Sequence, residues 1–156
     1  MNAPPATASR PRLRHIDEVA RALPQRVAIL TRLFLRHAEI DISLTEAGLL
    51  ATLSGGPRRI TELARLEGLA QPTVTLLVVR LEKRGWLVRK RDAGDRRVVN
   101  VVLTEAGRAA LEELREATRA LLHDRLAAMP DEHVETLLAA TDSLETLVGA
   151  LQEADT

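Results

Sequence analysis

The sequence predicts a mainly α fold that carries one small β hairpin. Three observations lead there. Apolar side chains recur at Val74, Leu77, Val78 and Leu81, the i, i+3, i+4, i+7 spacing of a helix with one buried stripe. Two short β-prone runs follow, residues 86–90 and 98–103, and they bracket a polar segment with Gly94, which is the pattern of a hairpin. Long amphipathic helical patterns flank this middle on both sides.

In chain order, residues 1–13 read as a disordered, proline-rich lead-in. Residues 14 to about 38 form a long helix with Ile16, Val19, Ala20, Leu23, Val27, Leu30, Leu33 and Phe34 on one side. Pro24 falls inside it and is expected to kink or restart it, because proline lacks the N–H and clashes with the preceding turn. Ser43-Leu44-Thr45-Glu46 fits a capping box, with Ser43 as N-cap and Glu46 reaching back. The short helix it opens runs to about Leu53 and ends at Ser54-Gly55-Gly56-Pro57. Residues 58–60 read as a short strand. Thr61 is expected to cap a helix running to Glu67, with Gly68 as its stop. A turn at residues 68–70 leads into the helix of residues 71–84. Pro72 suits that helix's first turn, and Gly85 closes it, since glycine takes the left-handed C′ conformation without steric cost. Residues 61–84 are therefore a helix–turn–helix, and residues 43–103 form one lobe with the hairpin.

Thr104 opens a helix of about 25 residues, roughly 37 Å at 1.5 Å per residue, with Leu111, Leu114, Leu121, Leu122 and Leu126 on its apolar side. Pro130 restarts the chain, and residues 131–152 form a last helix with Val134, Leu137, Leu138, Leu144, Leu147, Val148 and Leu151. The outer segments, residues 14–42 and 104–156, carry more apolar surface than one small lobe can hide, so they are read as dimerisation helices.

A helix followed by a charged hairpin is the outline of a winged helix-turn-helix, and the charge distribution points to nucleic acid. The 156 residues hold 22 basic and 22 acidic side chains, yet residues 58–97 hold 11 basic against 5 acidic, and residues 104–156 hold 4 against 12. A basic middle neutralises phosphates while an acidic end is repelled by them. Trp86 and Phe34 are single and tyrosine is absent, so there is no aromatic platform for stacking bases. That argues for double-stranded DNA over single strands or RNA, and leaves Trp86 to the core.

Other classes are disfavoured. With no cysteine there are no disulfides, thiolate nucleophiles, cysteine-based zinc sites or thiol redox sensors. His15, His37, His123 and His133 show no metal-ligand spacing, and there is neither a phosphate-cradling glycine loop nor a G-x-S-x-G. No catalytic residue, metal or cofactor is expected. No apolar run approaches the roughly 20 residues of a membrane span, and the N-terminus has no signal-peptide core, so a cytoplasmic protein is expected.

On the helix of residues 71–84, the face opposite the apolar stripe carries Pro72, Leu76, Val79, Arg80 and Lys83, with Thr73 and Thr75 at its flanks. The N-terminal end of the second helix of a helix-turn-helix contacts base edges, and its remainder meets phosphates. Gln71, Thr73 and Thr75 are thus candidates for hydrogen bonds to bases or phosphates, Gln71 being able to grip adenine with two bonds. Arg80 and Lys83 are candidates for phosphates, as are Arg91 and Arg96 in the hairpin.

Asp95-Arg96-Arg97 followed by Leu103-Thr104-Glu105-Ala106-Gly107 resembles the D-x-R…L-T-x-x-G signature of the MarR family of bacterial transcriptional regulators. Gln71-Pro72-Thr73-Val74-Thr75…Leu81-Glu82 resembles that family's recognition helix, and the likeness runs from about residue 14 to residue 151. The resemblance implies a homodimer whose N- and C-terminal helices interlock. Its two recognition helices would enter successive major grooves of a pseudo-palindromic operator about 34 Å apart, with wings in the flanking minor grooves. Arg97 matches the wing arginine that enters the minor groove, where narrow A·T-rich segments attract it. Asp95 is expected to orient Arg97 or another basic side chain through a charged hydrogen bond. The implied function is sequence-specific binding of double-stranded DNA by a repressor that a small, often anionic aromatic ligand releases. That ligand would sit among the first long helix, the helix of residues 44–53 and the start of the Thr104 helix, with Arg36 and His37 as candidates to meet its charge. A DNA-binding architectural dimer that senses no ligand is the alternative. The absence of cysteine separates the chain from the family's peroxide-sensing branch. Leu76 stands where arginine is frequent, and Ala70 where a capping Ser or Thr is frequent. Leu76 and Val79 are accordingly expected to meet thymine methyls.

Overall fold

The computed structural model describes residues 10–37, 40–92, 94–95 and 97–154. The chain divides into two compact units, Met1–Thr118 and Arg119–Thr156. The first holds α1 (Arg10–His37), α2 (Leu44–Ser54), α3 (Ile60–Leu66), α4 (Gln71–Lys83), β1 (Leu87–Arg91), β2 (Val99–Leu103) and the start of α5 (Glu105–Leu126). The second holds the end of α5 and α6 (Asp131–Ala154). The expected α fold with a small hairpin is what forms.

α1 begins at Arg10 rather than residue 14, so residues 10–13 belong to the helix and not to a lead-in. Pro11 falls in its first turn, where a missing N–H costs no helical bond. The helix also runs through Pro24 without restarting. None of its residues is buried. α2 opens with the expected capping box: the Glu46 N–H donates to Ser43 Oγ at 3.3 Å, and the Ser43 N–H donates to Glu46 Oε2 at 2.9 Å.

The core of the first unit gathers Ile42, Leu49, Leu50 and Leu53 before and on α2, Leu63 on α3, and Val74, Val78 and Leu81 on α4. Leu87, Val101, Leu103 and Leu111 complete it from the hairpin and α5, and Trp86 packs against it partly buried, as expected. β1 and β2 pair antiparallel, with Leu87 opposite Leu103 and Arg91 opposite Val99. The strand expected at residues 58–60 reduces to one bridge, in which Arg58 and Val101 exchange two main-chain bonds of 3.2 and 2.8 Å. It stops there because α3 already starts at Ile60. Thr61 does not cap that helix. The N-cap is Arg59, whose N–H is held by Glu62 Oε2 at 2.8 Å, and Thr61 lies within the first turn.

Gly85 takes φ 74° after α4, and the Trp86 N–H donates to Leu81 O at 3.0 Å, closing the helix as expected. The chain then returns to the same point through Thr104. The Thr104 hydroxyl donates to Gly85 O at 2.7 Å and accepts the Gly107 N–H at 3.0 Å, while the Thr104 N–H donates to Trp86 O at 3.0 Å. Thr104 therefore caps α5 and welds it to the end of α4.

α5 ends at Leu126 after 22 residues, about 33 Å, shorter than expected because residues 127–129 form a turn before Pro130. Among the described side chains of α6 none is buried, and Leu137, Leu138, Leu144, Leu147, Val148 and Leu151 are all exposed. No helix among the described residues is long and apolar enough to cross a membrane.

A side chain at Gly107 would run into the Trp86 main-chain carbonyl and into Leu103 Cδ1 at 2.8 Å. Backbone cannot yield as a flexible side chain does, so Gly107→Ala should destabilise the fold by about 1–3 kcal/mol or more. The shift of the urea midpoint at unchanged slope measures it; an unchanged midpoint would contradict the close approach.

Candidate nucleic-acid interface

α4 shows how the sequence builds a two-faced helix. Val74, Val78 and Leu81 are fully buried and Leu77 is half-buried, so one stripe is committed to the core. The opposite face is open. Gln71, Pro72 and Thr73 are exposed in the first turn, Leu76 is 71% exposed, and Arg80 and Lys83 are exposed further on. Leu76 is the most exposed large apolar side chain among the described residues. Val79 is half-buried. No side chain caps the helix at Ala70, so its first N–H groups are unclaimed by a cap. The Thr75 hydroxyl donates to Gln71 O at 2.9 Å. In that rotamer Thr75 can only accept, which suits a base amino group and not a phosphate.

The wing is organised by a residue the sequence reading missed. Asp92 Oδ1 accepts the N–H groups of Gly94 and Asp95 at 2.9 and 3.1 Å, and Oδ2 accepts from Asn100 Nδ2 at 3.0 Å. The main-chain bonds, then the Asn100 amide and the charge of Arg59, hold its carboxyl below the usual aspartate range. The loop is closed further by the Asp92 N–H on Val98 O and the Val98 N–H on Asp95 O, both 2.9 Å. The signal available in sequence was D-x-G, an Asx-turn pattern.

Asp95 reaches the main chain of Arg97. Its Oδ1 accepts the main-chain N–H of Arg97 at 2.9 Å, so it fixes the backbone from which Arg97 springs. Arg97 and Arg91 are exposed, and Arg96 lies outside the described residues. Helix and hairpin are tied by Arg89, whose Nη2 lies 3.5 Å from Glu82 Oε2. Arg84 stacks over the Trp86 ring at 3.9 Å from its centre, a cation–π contact at the helix end. One more charged group reaches α4 from behind: Glu46 of α2, only 1% exposed, puts Oε1 3.4 Å from Arg80 Nε.

Of the two residues expected to meet a ligand, Arg36 lines a groove beside α1. A groove of about 690 Å³ runs along α1 to the start of α2, bounded by Pro24, Val27, Thr31, Leu35 and Leu44 together with Arg32 and Arg36. His37 is not part of its wall; its Nδ1 donates to Leu33 O at 2.8 Å, on its own helix. Among the described residues no cluster of His, Asp and Glu could hold a metal ion.

The sequence profile of the MarR family matches residues 42–99, from the entry to α2 to the start of β2. The HTH-type transcriptional regulator YpoP of Bacillus subtilis is 27% identical over 106 residues, 67% of this chain and 75% of that protein. The transcriptional repressor MprA of Escherichia coli is 28% identical over 93 residues, 60% of this chain and 53% of that protein. The solved structure of a MarR family protein from Bacillus stearothermophilus superposes with a TM-score of 0.71 at 27% identity, covering 87% of this chain and 96% of the other. With its helix–turn–helix, its hairpin wing and the L-T-x-x-G weld between wing and α5, the chain belongs to the MarR family of transcriptional regulators.

Proposed function

We propose that the protein binds double-stranded DNA sequence-specifically as a homodimer and represses transcription until a small ligand releases it. The observation that carries this reading is the open face of α4, where Gln71, Thr73, Leu76, Arg80 and Lys83 lie exposed beside a wing that offers Arg91 and Arg97. Gln71 and Leu76 meet base edges and thymine methyls in the major groove. Arg80, Lys83 and Arg91 meet phosphates, and Arg97, with Arg96, serves the minor groove and its backbone. The name of MprA, a transcriptional repressor, supports the sign of regulation.

Dimerisation follows from the apolar stripes. α1 exposes Leu13, Ile16, Val19, Val27, Leu30 and Leu33, and α6 exposes six more aliphatic side chains. Contiguous apolar faces of this kind are covered by a partner in proteins that stay in solution. A second copy also supplies the second recognition helix that a pseudo-palindrome requires. Sedimentation equilibrium should accordingly give about twice the 17.1 kDa chain mass, and Leu147→Glu should lower it; a monomer at micromolar concentration would remove the reading.

The α1–α2 groove supports a ligand. Its volume suits a small molecule, and its mostly apolar wall with Arg32 and Arg36 suits an anionic aromatic compound. Such a ligand acts only if it binds the DNA-incompetent arrangement more tightly.

The test of function is binding to a duplex from the upstream region of the protein's own gene, wild type against Arg97→Ala, across a salt series. Wild type should bind with a steep salt slope, and Arg97→Ala should lose about 1–3 kcal/mol, above all on A·T-rich flanks. Adding aromatic carboxylates to the preformed complex should weaken it. Equal binding by wild type and mutant at every salt concentration would sink the wing assignment.

Leu76→Ala makes a sharper test of base reading. It should weaken binding to a selected site by about 1–2 kcal/mol and leave random DNA nearly unaffected, because a methyl contact carries sequence information and no charge. Equal losses on both DNAs would show that Leu76 does not read thymine.

A further inference from the structure

The capping box explains only half of Glu46. Oε2 is occupied, accepting the Ser43 N–H at 2.9 Å and the Ser43 hydroxyl at 2.8 Å. Oε1 is buried, receives no hydrogen bond, and has as its charged neighbour among the described residues Arg80 Nε at 3.4 Å. A capping glutamate ordinarily leaves its second oxygen to water, since the box needs only one. Here that oxygen is sealed from solvent and aimed at the recognition helix.

Arg80 lies one turn beyond Leu76 on the open face of α4, and its side chain is 63% exposed. We propose that Glu46 is a positioning residue for DNA binding: it holds Arg80 by Nε, which leaves both terminal amino groups of the guanidinium to grip a backbone phosphate. The proposal rests on the DNA-binding reading above. A free arginine samples many rotamers and must be ordered when it binds; one held at Nε is already ordered, and its remaining four N–H donors form the fork that matches a phosphate.

The state of the carboxyl agrees. Burial alone would raise its pKa, but the hydrogen bonds from Ser43 and the charges of Arg80 and Arg84 outweigh that and leave it lowered, so Glu46 is ionised at neutral pH. Arg84 is stacked on Trp86, which leaves Arg80 as the guanidinium in contact.

The sign of one substitution separates this role from a bystander's. A carboxylate behind a phosphate-binding face repels DNA, so neutralising it should tighten binding unless the carboxylate orients a cation. Glu46→Gln should instead weaken binding about five- to tenfold, the loss of one charge-assisted phosphate contact, and lower the salt slope by about 0.9. In an Arg80→Ala background the same substitution should change nothing further.

The experiment is fluorescence anisotropy on a duplex selected from random DNA, with thermal midpoints recorded for each variant. Arg80→Lys is measured as well; it keeps the charge, lacks Nε and leaves the capping box untouched, so it reports even if Glu46→Gln fails to fold. A loss in Arg80→Lys matching that in Glu46→Gln supports the proposal. Wild-type affinity in Arg80→Lys, or tighter or unchanged binding in a folded Glu46→Gln, overturns it. If Arg97→Ala weakens binding while the Glu46 and Arg80 variants do not, the proposal fails and the DNA-binding reading stands. If wild type binds no duplex at all, both fall.

Discussion

Gly107 lies against the main chain of Trp86 so closely that no side chain fits between them, and the candidate interface depends on that approach. Close to it in the fold, α4 ends at Lys83, β1 begins at Leu87, β2 ends at Leu103 and α5 begins at Glu105. Thr104 serves three of these at once by donating to Gly85, accepting from Gly107 and anchoring to Trp86. The consequence is mechanical. The C-terminal end of α4, the base of the wing and the first turn of α5 are one packed piece, and packed pieces shift together because interiors at crystal-like density transmit strain. L-T-x-x-G thus has a physical meaning apart from any family. Leucine is the core plug, threonine the double clamp, and glycine the gap that lets the helix come close.

The acidic residues of the wing are arranged so as not to cancel its positive charge. Asp92 and Asp95 both direct their carboxylates to main-chain N–H groups, at Gly94, Asp95 and Arg97. A carboxylate satisfied by N–H dipoles shapes a loop while leaving the guanidinium groups beside it uncompensated. Had Asp95 paired with the Arg97 side chain, the pair would present a nearly neutral face. The same logic reaches the base of the wing, where Glu82 and Arg89 pair side by side and Arg91, two residues further out, stays exposed.

What was legible in the sequence was whatever depends on periodicity and local stereochemistry. The stripe of α4, the Ser43 capping box, the stops at Gly68 and Gly85 and the hairpin all follow from spacing or from one residue's backbone freedom. Thr61 misled because it lies two residues past the true N-cap, Arg59, where Glu62 and not a hydroxyl closes the box. α1 starts earlier than a proline-rich lead-in over residues 10–13 would allow, because Pro11 sits in the first helical turn, where a missing N–H costs no bond. Sequence spacing shows Glu46 only as one half of a local box, since its other partner is 34 positions away and no periodicity links α2 to α4. The side-chain candidates on α4 were legible as a face; the direction of the Thr75 hydroxyl, which donates to Gln71 O, is not something spacing reveals.

The contact between Glu46 and Arg80 earns little stability by ordinary magnitudes. An ion pair with one largely exposed partner contributes about 0–1 kcal/mol, and a buried carboxylate costs several kcal/mol to desolvate unless hydrogen bonds satisfy it. Ser43 satisfies only Oε2. An apolar residue at position 46 would avoid the desolvation cost, and a Gln would still close the capping box. Stability therefore does not account for a charge at this place, whereas orientation does. The carboxylate sits behind the helix, out of reach of solvent and of any polyanion docking on the open face, and it touches the cation at the one nitrogen that leaves the guanidinium fork unoccupied. A buried anion behind an exposed cation lets a helix present positive charge in a fixed direction, and in a chain whose net charge is zero, direction counts for more than amount.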